Sequence, residues 1–197
     1  MAESDFDTAR TVLTRAASLA PDKHAPQFLL GFFHYVDNDF LRARPVLERA
    51  RKIAPRDYQT ALFLAMTYDG LALPDFARPA FQQALALNDS AEARLAFARM
   101  LYTQGVFEEA QVHVSRALEL HPGSRDAHYE QARLHFVANR FEEAITEANR
   151  ALQLQGDGIS ERSIHFLLSR AYDRTGDKAR AAEHRRAFEA IPPRLIR

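Results

Sequence analysis

Two rows of alanine recur along the chain with one spacing. The first is Ala9, Ala43, Ala77, Ala110, Ala144 and Ala181, at intervals of 34, 34, 33, 34 and 37 residues. The second is Ala16, Ala50, Ala84, Ala117 and Ala151, and Phe188 ends it. Two independent rows in one register mark internal repetition, and a unit of this length buries its apolar face by stacking on its neighbours. Small residues repeated in one register suit a close crossing of two helices, where a methyl side chain is about as much as the crossing admits. Ala144→Leu is therefore expected to overpack the crossing by roughly 1 to 3 kcal/mol.

The stretch from Ala91 to Ser124 shows the unit most clearly. It has Ala98 and Leu101 in one apolar-periodic run, then Gly105 and Phe107, then Ala110, Val114 and Ala117 in a second run, and a closing Pro122. This pattern resembles the tetratricopeptide repeat, a helix-turn-helix unit of about 34 residues. The resemblance implies an all-α fold, a right-handed superhelical solenoid of antiparallel helix pairs with about eleven helices, in a single domain over residues 1–197. In that frame residues 5–21 are a half repeat, and 24–57, 58–90, 91–124, 125–158 and 162–195 are whole repeats, each counted from position 1.

Departures from the pattern carry expectations of their own. Pro45 and Pro79 both stand at position 22, early in a second helix. A missing N–H and a ring clash cost about 3 kcal/mol in a helix interior, so a late start or a kink is expected there. Lys178, Arg185 and Glu189 take positions 17, 24 and 28, which the third repeat fills with Phe107, Val114 and Leu118. That gives the last helix the polar outer face of a capping unit. The leading half repeat presents Val12, Leu13 and Ala17 without a first helix to cover them all, and chain upstream of Met1 is expected on that ground.

Composition narrows the function classes. Lys+Arg and Asp+Glu both total 26, so no net charge draws the chain to nucleic acid or an anionic membrane. There is no Cys, which removes disulfide and thiol chemistry. The N-terminus has Glu3, Asp5 and Asp7 and no apolar run of the secretory kind, and the most apolar stretch, Phe28 to Phe33, is too short to span a bilayer. A cytoplasmic protein without membrane insertion is expected. No phosphate-cradling Gly loop, nucleophile elbow or His pair of the zinc-protease type occurs, so neither an enzyme nor a bound cofactor or metal is expected. His121, His128 and His135 are seven residues apart, but seven helical residues span about 10 Å, too far for two nitrogens to share one metal. Half-buried, hydrogen-bonded His at positions 4 and 11 is the expectation, and His165 and His34 hold the same two positions elsewhere.

In the family that the pattern resembles, first helices line an inner, concave wall, and positions 2, 5, 6, 9, 12 and 13 face a bound peptide. Carried onto this chain, position 5 reads Phe28, Leu62, Leu95, Tyr129 and Phe166, and position 9 reads Phe32, Met66, Arg99, Arg133 and Arg170. Position 12 reads Tyr35, Asp69, Tyr102, Phe136 and Asp173, and Phe63 stands at position 6. The wall so drawn turns from apolar to basic at Arg99. Its first half, where Phe28 to Val36 is apolar nearly all round, forms a patch with Leu62, Phe63 and Met66. An apolar patch of that kind marks an interaction surface, unless packing between repeats or an upstream segment covers it. Arg99, Arg133 and Arg170 are either forks for a partner's carboxylates or carbonyls or are neutralised by Glu92, Asp126, Glu130 and Asp173 on the same face. The Lys and Asn clamp of the family's chaperone-tail readers is absent.

The resemblance thus implies a non-catalytic scaffold that binds a peptide segment or helix of a partner protein, reaching across the apolar-to-basic boundary. The alternative is a repeat region of a larger enzyme or regulator, packed against another domain or self-associating through its apolar N-terminal half.

Overall fold

The structure, a computed structural model, describes residues 2–156 and 158–192. Among them are eleven α-helices and no strand: α1 Ala2–Leu19, α2 His24–Val36, α3 Phe40–Ile53, α4 Tyr58–Gly70, α5 Pro74–Leu87, α6 Ala91–Thr103, α7 Phe107–Leu120, α8 Arg125–Val137, α9 Phe141–Gln153, α10 Glu161–Thr175 and α11 Lys178–Ala190. No helix of the described residues is long and apolar enough to cross a membrane. The helices group into two compact units, α1 to α5 up to Asp89, and α6 to α11 from Ser90 onward. Pro193, expected to close the fifth repeat, and Asp157 lie outside the described residues.

Short polar side chains start the first helix of most pairs. Asp57, Ser90, Ser124 and Ser160 accept hydrogen bonds from backbone N–H groups three residues on, at 2.8, 3.1, 3.2 and 3.2 Å. Each satisfies a donor that the first turn would leave unpaired. Within every pair the chain turns through one residue with positive φ at position 15: Asn38 (56°), Ala72 (54°), Gly105 (76°), Asn139 (58°) and Gly176 (86°). Gly and Asn tolerate that left-handed conformation, whereas Ala72 bears a steric cost.

Every second helix then begins at position 17, at Phe40, Pro74, Phe107, Phe141 and Lys178. The late start expected from Pro45 and Pro79 does not occur, since both lie inside their helices. Each proline removes the partner of one carbonyl four residues back. Those carbonyls belong to Leu41 and Asp75, exposed residues of the first turn, where water can replace the lost N–H.

The alanine rows are the seams of the helix pairs. Ala43, Ala77, Ala110 and Ala144 of the first row, and Ala50, Ala84, Ala117 and Ala151 of the second, are fully buried. Backbones approach so closely at Gly31 that a Cβ there would stand 2.6 Å from Leu47 Cγ, so α2 and α3 require glycine at that crossing. In the C-terminal unit α11 buries only Ala181 among the described residues and leaves Lys178, Arg185 and Glu189 exposed. In the N-terminal unit α1 packs on α2 through Ala17 and through Phe6, whose ring lies 4.5 Å from that of Phe33. Val12 and Leu19 remain 60% and 68% exposed.

Candidate functional site

The first-helix face of the N-terminal unit is an aromatic and methionine cluster. Phe28, Phe32 and Tyr35 come from α2, at positions a turn or two apart, and Phe63 and Met66 come from α4. Phe63 sits at the centre, with ring centroids 4.7 Å from Phe32, 5.2 Å from Tyr35 and 6.1 Å from Phe28. The edge-on geometry of the first two contacts suits the ring quadrupoles. Tyr35 Oη lies 3.9 Å from Met66 Sδ, and the rings of Phe28, Tyr35 and Phe63 back onto the core residues Ala43, Leu47 and Leu64. All five side chains are half-buried.

Two expectations need correction here. Leu62 is 1% exposed, because at position 5 a Leu is too short to reach the surface that the longer rings of Phe28 and Phe166 attain. Phe33 is covered by Phe6 of α1. The patch is therefore narrower than the apolar run of the sequence suggests, and its rings hold one another.

Asp69 lies three residues beyond Met66 on α4. Burial pushes its carboxyl pKa up, and nothing charged or hydrogen-bonded opposes that. Its half-buried carboxylate forms no ion pair among the described residues.

The corresponding face of the C-terminal unit is a charge network. Arg99 of α6 donates from Nε to Glu130 Oε1 at 2.8 Å and from Nη2 to Asp126 Oδ2 at 2.7 Å, and Arg133 Nη1 donates to Glu130 Oε2 at 2.6 Å. Asp126 also accepts from the backbone N–H of Ile159 at 2.9 Å. Glu130 is 3% exposed, so its two guanidinium partners are what allow it to be charged in the interior. Of the two sequence readings for this row, internal neutralisation holds for Arg99 and Arg133.

A second regularity uses the aromatic residues. The Arg133 guanidinium lies 3.8 Å from the ring centre of Tyr102 and 5.9 Å from that of Tyr129. Arg170 lies 4.9 Å from Phe136 and 5.6 Å from Phe166. Position 9 of one pair thus stacks on position 12 of the preceding pair, a cation–π arrangement. Arg170 has no carboxylate partner among the described residues. It lines a concavity of about 300 Å³ with Phe166, Ser169, Asp173, Arg185, Phe188 and Glu189.

The histidines at positions 4 and 23 belong to the seams of the helix pairs. Position 4 faces position 23 across three successive helix pairs: Arg94 with His113 at 3.1 Å, His128 with Glu147 at 2.6 Å, and His165 with His184 at 2.9 Å. Pro122 O stands 2.9 Å from the other nitrogen of His128, and His135 contacts Gln131 at 2.9 Å. Burial lowers the pKa of His34, His135, His165 and His184. Among the described residues no group of three or more His, Cys, Asp or Glu is placed to hold a metal. The position 4 to 23 pairing escapes sequence reasoning because its chemistry changes from pair to pair while its spacing of 19 residues stays fixed.

Helix pairs of one length, sealed by alanine and turned at one position, define an all-α repeat protein whose first helices carry the variable chemistry. A sequence model of the tetratricopeptide repeat matches residues 1–58 and 95–159, and the chain belongs to the tetratricopeptide repeat family. A search of curated proteins by sequence returned no match. Among solved structures, a chain of the APC/C hetero-tetramer Cut9-Hcn1 aligns with a TM-score of 0.81 at 15% identity, over 92% of this chain and 36% of that one. PilW, a type IV pilus biogenesis factor, aligns with a TM-score of 0.82 at 18% identity, over 96% and 87% of the two chains. The human IFIT1 dimer with m7Gppp-AAAA aligns with a TM-score of 0.75 at 14% identity, over 95% and 47%. At these identities the likeness establishes the fold alone.

Proposed function

We propose that the chain is a cytoplasmic, non-catalytic scaffold that binds a peptide segment or helix of a partner protein along its first helices. The supporting observation is the half-buried cluster of Phe28, Phe32, Tyr35, Phe63 and Met66 on α2 and α4. Clustered aromatic rings supply contact area at low entropic cost, and methionine adapts to the shape of what it meets. Phe32, Phe63 and Met66 are the anchors in this reading. In the C-terminal unit Tyr102, Tyr129, Phe136 and Phe166 are the walls, and Arg170 is the cation free to meet a carboxylate. Arg99 and Arg133 are held by Asp126 and Glu130, which neutralises the row that a nucleic acid would need and favours a protein partner.

The test is affinity capture from a native lysate with the wild type and with Phe32→Asp combined with Met66→Asp, quantified by mass spectrometry. Burying two new carboxylates at hot-spot positions is expected to reduce capture roughly 100-fold, with helical content by circular dichroism unchanged. Undiminished capture contradicts the reading. A second reading, in which another domain or a second copy covers α1, is favoured by the exposed Val12 and Leu19. Light scattering of wild type and Val12→Glu separates it: self-association through α1 is lost in the variant.

A further inference from the structure

The half-buried carboxylate of Asp69 has no cationic partner among the described residues. Position 12 of the fifth repeat is also an aspartate, Asp173, and it holds both Lys178 Nζ at 3.1 Å and Arg185 Nη2 at 2.7 Å. Asp126 and Glu130, the other carboxylates of the first-helix faces drawn out of water, are each held by an arginine. Of these four, Asp69 is without a cation among the described residues. A carboxylate taken from water without a partner is unfavourable, and covering it further with apolar groups makes matters worse. It stands one helical turn from Met66 on α4, at position 12 of its repeat, where Tyr35 of the cluster stands in the repeat before.

We propose that Asp69 is the ion-pairing subsite for a lysine or arginine of the bound segment, whose apolar side chains lodge against Phe32, Phe63 and Met66. The proposal rests on the groove reading above and gives its occupant a sequence character: apolar residues flanking a basic one. Charge complementarity selects this occupant, since the incoming cation meets both the carboxylate and the negative faces of the surrounding rings. An acidic segment is repelled. A purely apolar segment buries Asp69 unpaired, so the same residue discriminates against it.

The experiment is selection of a random-peptide phage library on the full chain, followed by affinities of synthesised, fluorescein-labelled winners measured by anisotropy. Binding is compared on wild type, Asp69→Asn, and the Phe32→Asp, Met66→Asp double variant, each checked for helicity. The expected result is winners with Lys or Arg next to apolar residues, losing roughly tenfold in affinity on Asp69→Asn. Replacing their basic residue by Gln should cost a similar factor on the wild type and almost nothing further on Asp69→Asn. Winners without a basic residue, or basic winners that bind Asp69→Asn unchanged, overturn the role of Asp69 and leave the groove standing. Winners that bind the double variant unchanged, or a library that yields no binder at all, overturn the groove reading and this inference with it.

Discussion

The first helices of the two units carry polar groups of opposite fate. In α6 and α8 the charges satisfy one another: Arg99, Asp126, Glu130 and Arg133 form a closed set, and Tyr102 seats one guanidinium. In α2 and α4 the rings of Phe28, Phe32, Tyr35 and Phe63 remain half-buried, and the carboxylate of Asp69 has no cation among the described residues. A closed network gains little from a partner, because any new contact must displace an existing one. An open face gains from each apolar contact and from the missing cation. The same helix-pair scaffold therefore presents a self-sufficient surface on α6 and α8 and an incomplete one on α2 and α4.

That contrast can be broken most severely at Glu130. Glu130→Ala leaves Arg133 without its carboxylate and Arg99 with Asp126 alone, and is expected to cost roughly 3 kcal/mol in urea unfolding. A loss below about 0.5 kcal/mol would place these contacts among ordinary surface ion pairs.

A smaller effect of definite sign is expected at two half-buried histidines of the C-terminal unit. His165 and His184 both have folded-state pKa values lowered by burial from 6.5. The unfolded chain takes up their protons first, so their contribution to stability is complete above pH 6.5 and is lost as pH falls toward the lowered values. Urea unfolding at pH 7.5 and 5.5 should show the wild type losing more stability than His165→Gln. An equal loss would remove the pair from the account.

Asp69 has the opposite dependence. Its folded-state pKa is raised from 3.8 by burial, so ionisation costs stability as pH rises through the window above that value. Asp69→Asn is expected to stabilise the chain at neutral pH, with the gain vanishing below pH 3.8. Stabilisation coupled to lost partner binding is the signature of a residue kept for function. A destabilised variant would mean that Asp69 has a structural partner.

The smallest effect lies away from both faces. Ala72 turns at φ 54° where Gly105 and Gly176 stand in other pairs. Ala72→Gly should therefore raise stability by about 0.5 kcal/mol, since relief of left-handed strain exceeds the added freedom of the unfolded chain. A loss of stability would show that the turn is not strained.

How much of this was legible in the sequence depends on whether one residue or a pair of residues carries the information. The alanine rows speak for themselves, because a small residue at a helix crossing is required whatever its neighbours are. Gly105, Gly176, Asn38 and Asn139 likewise mark the turn by their own backbone preferences. Leu62 and Phe28 share position 5, yet only the larger side chain reaches the surface, and residue type with position does not reveal that. Arg99 and Arg133 read equally well as free forks or as paired charges, because the answer lies in rotamers that bring Glu130 within reach. Pro45 and Pro79 read as obstacles, because the exposure of Leu41 and Asp75 one turn before them is a property of the fold.

The most direct test of an open face on α2 and α4 is hydrogen–deuterium exchange of the full chain with and without a captured partner. The account predicts slowed exchange concentrated in α2 and α4, with α7 and α9 unchanged. Protection confined to α7, α9 or α11, with α2 and α4 unaltered, would contradict it.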